Sequence, residues 1–134
     1  MKRVLVSIPL MLLLACAKPA SSPRVVGTWF ASAQSIGYLN IARMALDLRT
    51  DSTYRYYFRN APTERDTSGA EYTEGGRFNV RADTLLFRVA EANGKPTQFE
   101  YARKFRVLAD TAEWPLRVTY LRNRLEFEVY FQRE

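Results

Sequence analysis

The fold turns on Met44-Ala45-Leu46-Asp47-Leu48-Arg49-Thr50-Asp51-Ser52-Thr53-Tyr54-Arg55-Tyr56-Tyr57-Phe58-Arg59. Met44, Leu46 and Leu48 alternate with Ala45, Asp47 and Arg49, and Tyr54, Tyr56 and Phe58 alternate with Arg55, Tyr57 and Arg59. A period of two puts the apolar side chains on one face of a pleated strand and the charges on the other. Asp51-Ser52, a pair suited to tight turns, separates the two runs, so together they read as an antiparallel hairpin.

The same pattern recurs along the chain. Leu85, Phe87 and Val89 share a face, as do Phe99, Tyr101, Arg103, Phe105 and Val107. Leu116, Val118 and Tyr120 repeat it, and Leu125, Phe127, Val129 and Phe131 close it, with Glu126 and Glu128 opposite. Asn93-Gly94-Lys95-Pro96 and Arg122-Asn123 supply breaks, Asn60 to Gly69 a longer polar loop, and Gly75-Gly76 a bulge or bend. The runs place strands at 25–31, 42–50, 53–59, 70–80, 84–90, 97–108, 116–121 and 124–132. That makes an all-β, antiparallel up-and-down β-barrel of about eight strands. Closure removes the sheet edges that would otherwise pair with neighbours.

Two stretches fit less regularly. Ser32 to Met44 has mixed spacing and reads as a loop with one helical turn. Phe78-Asn79-Val80-Arg81-Ala82-Asp83-Thr84 partly repeats as Phe105-Arg106-Val107-Leu108-Ala109-Asp110-Thr111, which we take as two similar strand-turn units rather than a true repeat.

Composition narrows the function classes. The chain's 134 residues suffice for one domain. With no His and one Cys, it cannot build a His-based triad, an imidazole metal site or an internal disulfide. We expect no enzyme activity, no cofactor and no metal. The excess of 20 Lys and Arg over 14 Asp and Glu could suit nucleic acid, but acidic residues interleave with the basic ones on the strand faces. A solvated surface with some attraction to anionic lipid is the expectation, with no nucleic-acid partner.

The start of the chain carries an address. Lys2 and Arg3 precede an apolar run from Val4 to Ala15, too short to span a bilayer comfortably and suited to a secretory signal. Leu13-Leu14-Ala15-Cys16 resembles the lipobox of bacterial lipoproteins. That resemblance implies cleavage before Cys16, acylation of Cys16 (palmitate being a typical chain), and membrane attachment through that lipid. Ala17 after the Cys lacks the Asp that resembles an inner-membrane retention signal, which implies the outer membrane, facing the periplasm. The expected organisation is a signal peptide over 1–15, a lipidated Cys and tether over 16–24, and a barrel over 25–134, as a monomer.

Val26-Gly27-Thr28-Trp29, followed by Leu46 to Tyr54 around its turn, resembles bacterial lipocalin-like domains. Gly75-Gly76-Arg77-Phe78 and Asp83-Thr84-Leu85 extend the likeness, although Ser52 and Phe78 depart from the usual Gly and Trp. In its own right, Gly27 leaves room for a close approach and Trp29 plugs the narrow end of a small barrel. The resemblance implies a late-strand Arg over the indole, and Arg133 lies in the inward phase for it. Gly27, Trp29 and Arg133 are therefore expected to be structural.

The likeness also implies binding of a small hydrophobic or amphipathic ligand. Candidate contacts are Trp29, Tyr54, Tyr56, Phe87, Tyr101 and Arg103, apolar walls carrying a few polar groups. Arg103 on an inward face must be paired or meet a wet cavity. Either it receives an anionic head group, or a carboxylate such as Glu74 neutralises it. The alternative to a ligand binder is an envelope interaction module with a filled barrel. A hollow interior above ~300 Å³ supports the first and a packed one the second.

Overall fold

Alternation in the sequence becomes an inside and an outside. The computed structural model describes residues 24–109 and 112–134. The leader, the lipobox at 13–16 with Cys16, the tether up to residue 23, and Asp110-Thr111 of the second strand-turn unit lie outside the described residues. Eight strands follow in order: β1 Gly27–Ala31, β2 Ile41–Leu48, β3 Thr53–Asn60, β4 Glu71–Arg81, β5 Thr84–Ala92, β6 Lys95–Val107, β7 Leu116–Arg122 and β8 Leu125–Arg133. Each pairs antiparallel with the next, and β8 returns to β1, closing an up-and-down barrel. The strand limits differ from the sequence reading by one or two residues at most ends. The β5–β6 break is tighter than expected: Asn93 and Gly94 alone turn the chain, at φ 51° and 74°, and Pro96 already belongs to β6. Asn123 and Arg124 turn β7 into β8 in the same left-handed region, as two-residue hairpins require.

The inward residues fill the lumen. Trp29, Met44, Leu46, Leu48, Tyr54, Leu85, Val89, Leu116, Val118, Val129 and Phe131 are all buried. Eight strands leave an interior just wide enough for side chains to fill, and these side chains point into it. The lower end, near the chain's start, holds the β2–β3 and β4–β5 turns. The β3–β4 loop and the β5–β6 and β7–β8 turns lie at the upper end.

The stretch after β1 forms one helical turn, α1 (Ala33–Gly37), capped by the Ser32 hydroxyl, which accepts from the Ser35 N–H. This turn does structural work that β1 is too short to do. The Ser32 N–H donates to the Tyr130 carbonyl at 2.7 Å, and the Tyr130 N–H donates to Ser35 Oγ at 3.1 Å. Ile36 and Leu39 are buried under it.

Glycine is required where chains crowd. A Cβ on Gly76 would fall 2.0 Å from the Arg88 carbonyl oxygen, beside the irregularity where β5 slips one residue against β4. Gly27, at φ 145°, lies where a Cβ would meet the Arg133 side chain at 3.4 Å.

Two inward assignments need correction. Phe99 is 42% exposed and Leu125 62% exposed. Both hold the inward phase, but their strands run past the neighbour that would cover them. Pairing of β6 with β7 spans only Phe105–Val118, Arg106–Arg117 and Val107–Leu116. Pairing of β8 with β1 begins only at Phe131.

Candidate functional site

At the lower end the indole acts as a seal. Trp29 Nε1 donates to the Val25 carbonyl at 2.7 Å, and the Arg133 guanidinium lies 4.7 Å from the ring centroid as its cross-strand partner. Arg133 Nη2 also donates to the Arg24 carbonyl at 2.8 Å, so one side chain ties the chain's arrival to its last strand. Trp29 is thus part of this closure and stands apart from the other candidate ligand residues.

Tyr54, Tyr56, Phe87, Tyr101 and Arg103 come together in the lumen. Tyr54 meets Phe87 edge-on with centroids 4.7 Å apart, and Phe87 stacks on Tyr101 at 5.0 Å. Tyr56 stacks on Tyr120 at 6.5 Å and contacts Phe58 at 5.8 Å. Such pairs contribute beyond their buried area.

Glu74 organises this cluster. It is buried on β4, and Tyr54 Oη donates to its Oε1 at 2.9 Å, Tyr72 Oη donates to its Oε2 at 2.7 Å, and Tyr101 Oη donates to its Oε1. Three hydroxyl donors are what a buried carboxylate needs in place of water. Burial, reinforced by the bond to Glu74, pushes the Tyr72 hydroxyl up to about 12. Burial first and Glu74 second hold Tyr54 and Tyr101 far above the ordinary phenol value. Burial also raises Tyr56 and Tyr120, with the Arg103 charge opposing it at Tyr120. All five phenols are therefore neutral donors at neutral pH.

Arg103 takes a different course from the expected neutralisation by Glu74. No ion pair joins the two among the described residues. Its guanidinium carbon lies 4.9 Å from the Tyr101 ring centroid and 5.2 Å from that of Tyr120, a cation between two π faces. Its Nε is buried without a hydrogen-bond partner among the described residues. A buried donor left unsatisfied costs about 1–3 kcal/mol, so the site has unused binding capacity for an acceptor.

Sequence reasoning treated Glu74 only as a neutraliser and passed over Tyr72. The signal was available: Tyr72, Glu74, Gly76, Phe78 and Val80 share one parity, and Phe78 is buried. Gly75-Gly76, read as a bulge or bend, is where the ladder with β5 shifts register, with Ala90 the unmatched residue opposite.

Outside the barrel the charges pair with each other. Arg106 grips Glu128 with two bonds of 2.7 and 2.9 Å, and Arg88 meets Glu100 at 2.7 Å. A groove of about 920 Å³ beside β4 to β6 is lined by the outward-phase Arg77, Asn79, Arg81 and Arg88 together with the inward-phase Phe78, Phe87 and Tyr101. Among known proteins, no family model, curated protein or solved structure matches the chain.

Proposed function

We propose that this chain is a lipocalin-like lipoprotein, anchored in the outer membrane through an acylated Cys16, that binds a small anionic amphiphile within its barrel. The supporting observation is Arg103: a cation held between Tyr101 and Tyr120 with its Nε unpaired, while the nearby carboxylate is fully occupied by tyrosines. A negatively charged head group would satisfy the guanidinium, and the surrounding aromatic rings would receive the apolar part. We read it as a monomeric binding protein without catalytic activity, cofactor or nucleic-acid partner.

The chain arrives at the lower end, where Arg133 holds the Arg24 carbonyl. Residues 17–23 reach at most about 25 Å when fully extended. A lipid on Cys16 would therefore keep the lower end near the bilayer and turn the upper end to the periplasm. Native mass spectrometry of the protein extracted from bacterial envelopes tests the reading. Co-purification of an acidic amphiphile supports it, and a ligand-free protein that also fails to take up added fatty acid contradicts it.

The groove beside β4 to β6 bearing Arg77, Arg81 and Arg88 favours a second reading, an envelope interaction module with a filled barrel. Crosslinking in intact envelopes that captures one defined protein through β4 to β6 would support this alternative.

A further inference from the structure

The ladder between β6 and β7 is unfinished. Cross-strand pairing stops at Phe105–Val118, although β6 continues back to Lys95 and β7 on to Arg122. Above that point Thr119–Arg122 pair only with β8, and residues 99–104 pair only with β5. The tip of the β7–β8 hairpin is tied instead toward α1, because an Arg122 guanidinium nitrogen donates to the Leu39 carbonyl. Continuing the register sets Arg103 opposite Tyr120, and there the guanidinium lies between the Tyr101 and Tyr120 rings.

The borders of this gap carry exposed apolar side chains among exposed charges such as Lys104, Arg122 and Arg124. Phe99 on β6 is 42% exposed, and Leu121 on β7 is 62% exposed. Exposed apolar side chains with a half-buried guanidinium behind them, its Nε unpartnered among the described residues, have the charge and shape of a site for one chain with one acidic head. We propose that the β6–β7 seam is the docking site of a single-chain carboxylate amphiphile. Its head lies on Arg103 between the two tyrosines, and its chain runs outward across Phe99 and Leu121. The single guanidinium matches a single negative charge. This inference rests on the ligand-binding reading above and adds where and how the ligand sits.

Hydrogen exchange on the full-length protein, with and without oleate below its micelle concentration, tests it. Oleate is expected to slow exchange at least ~fivefold within 99–104 and 119–125, with little change in α1 and the 61–70 loop. Leu121→Glu, an exposed change beside the seam, is expected to weaken oleate binding at least ~tenfold by placing like charge near the head. Tyr38→Glu, at an upper-end residue that is 83% exposed and away from the seam, is expected to leave binding unchanged. Protection confined to α1 and the 61–70 loop, or weakening by Tyr38→Glu alone, would place the ligand at the barrel mouth and overturn the seam while leaving ligand binding intact. Absence of oleate binding by mass spectrometry would overturn both. So would attachment only to phosphatidylglycerol vesicles, equal in the wild type and Leu121→Glu.

Discussion

Replacing Glu74 probes the interior hub most sharply. The carboxylate accepts from Tyr54, Tyr72 and Tyr101, and hydrogen bonds to a charged group contribute ~1.5–3 kcal/mol each. Relief of the carboxylate's own burial cost offsets part of that sum. In Glu74→Ala, Tyr72 is exposed enough to turn toward water, but Tyr54 is 1% exposed and its hydroxyl loses its partner outright. An orphaned hydroxyl costs ~1–3 kcal/mol, and the void left by the side chain adds to it. We expect Glu74→Ala to lose ~3–5 kcal/mol, a large share of the ~5–15 kcal/mol typical of a whole domain. Glu74→Gln keeps the shape and one acceptor oxygen, so it should lose only ~1–2 kcal/mol. Urea denaturation followed by circular dichroism measures both, with an unchanged m-value marking a change in stability alone. A double-mutant cycle of Tyr54→Phe with Glu74→Gln should show coupling above ~0.5 kcal/mol. If Glu74→Ala unfolded within ~0.5 kcal/mol of the wild type, the hub would not be holding the barrel interior together.

Arg133→Ala is expected to cost ~0.5–2 kcal/mol in the same denaturation assay, because it removes the cation over Trp29; an unchanged midpoint would separate the pair from stability. Gly76→Ala should cost more than ~3 kcal/mol or prevent folding, since its Cβ would fall 2.0 Å from the Arg88 carbonyl oxygen, whereas Gly37→Ala meets open space and should be tolerated. Alkaline titration at 295 nm should show Tyr54, Tyr56, Tyr72, Tyr101 and Tyr120 resisting ionisation until the barrel unfolds. Phenols raised by folding ionise first in the unfolded chain. Their contribution to stability is thus complete below about pH 10; that of Tyr72 is lost as pH rises through about 12, and those of the other four, raised further, at still higher pH. Ionisation of all eight tyrosines near pH 10 without unfolding would contradict the buried, hydrogen-bonded cluster.

The strands were legible because alternation survives burial. A side chain such as Leu46 or Val129 must face inward whatever its neighbours do, so a period of two carries the fold. The turns were equally readable, since Asn93-Gly94 and Asn123 tolerate the left-handed backbone that two-residue hairpins impose. Local pattern could not say how far neighbouring strands stay paired. Phe99 and Leu125 obey the period and are still exposed, because coverage depends on the length of the adjacent ladder. The site was half visible for a related reason. Arg103 was conspicuous as a charge in an apolar phase, whereas its failure to pair with Glu74 depends on where three tyrosine hydroxyls reach, and spacing along the chain does not encode that.

The claim that an unsatisfied guanidinium in this barrel recognises acidic amphiphiles is tested most directly by competition. A fluorescent fatty-acid probe on the full-length protein would be displaced by oleate and, separately, by oleyl alcohol, its uncharged counterpart. One charge-assisted contact of ~1.5–3 kcal/mol predicts that oleate competes ~10–100-fold better than the alcohol, and that Arg103→Gln removes most of this preference. Equal competition by acid and alcohol, or a preference that survives Arg103→Gln, would contradict the account.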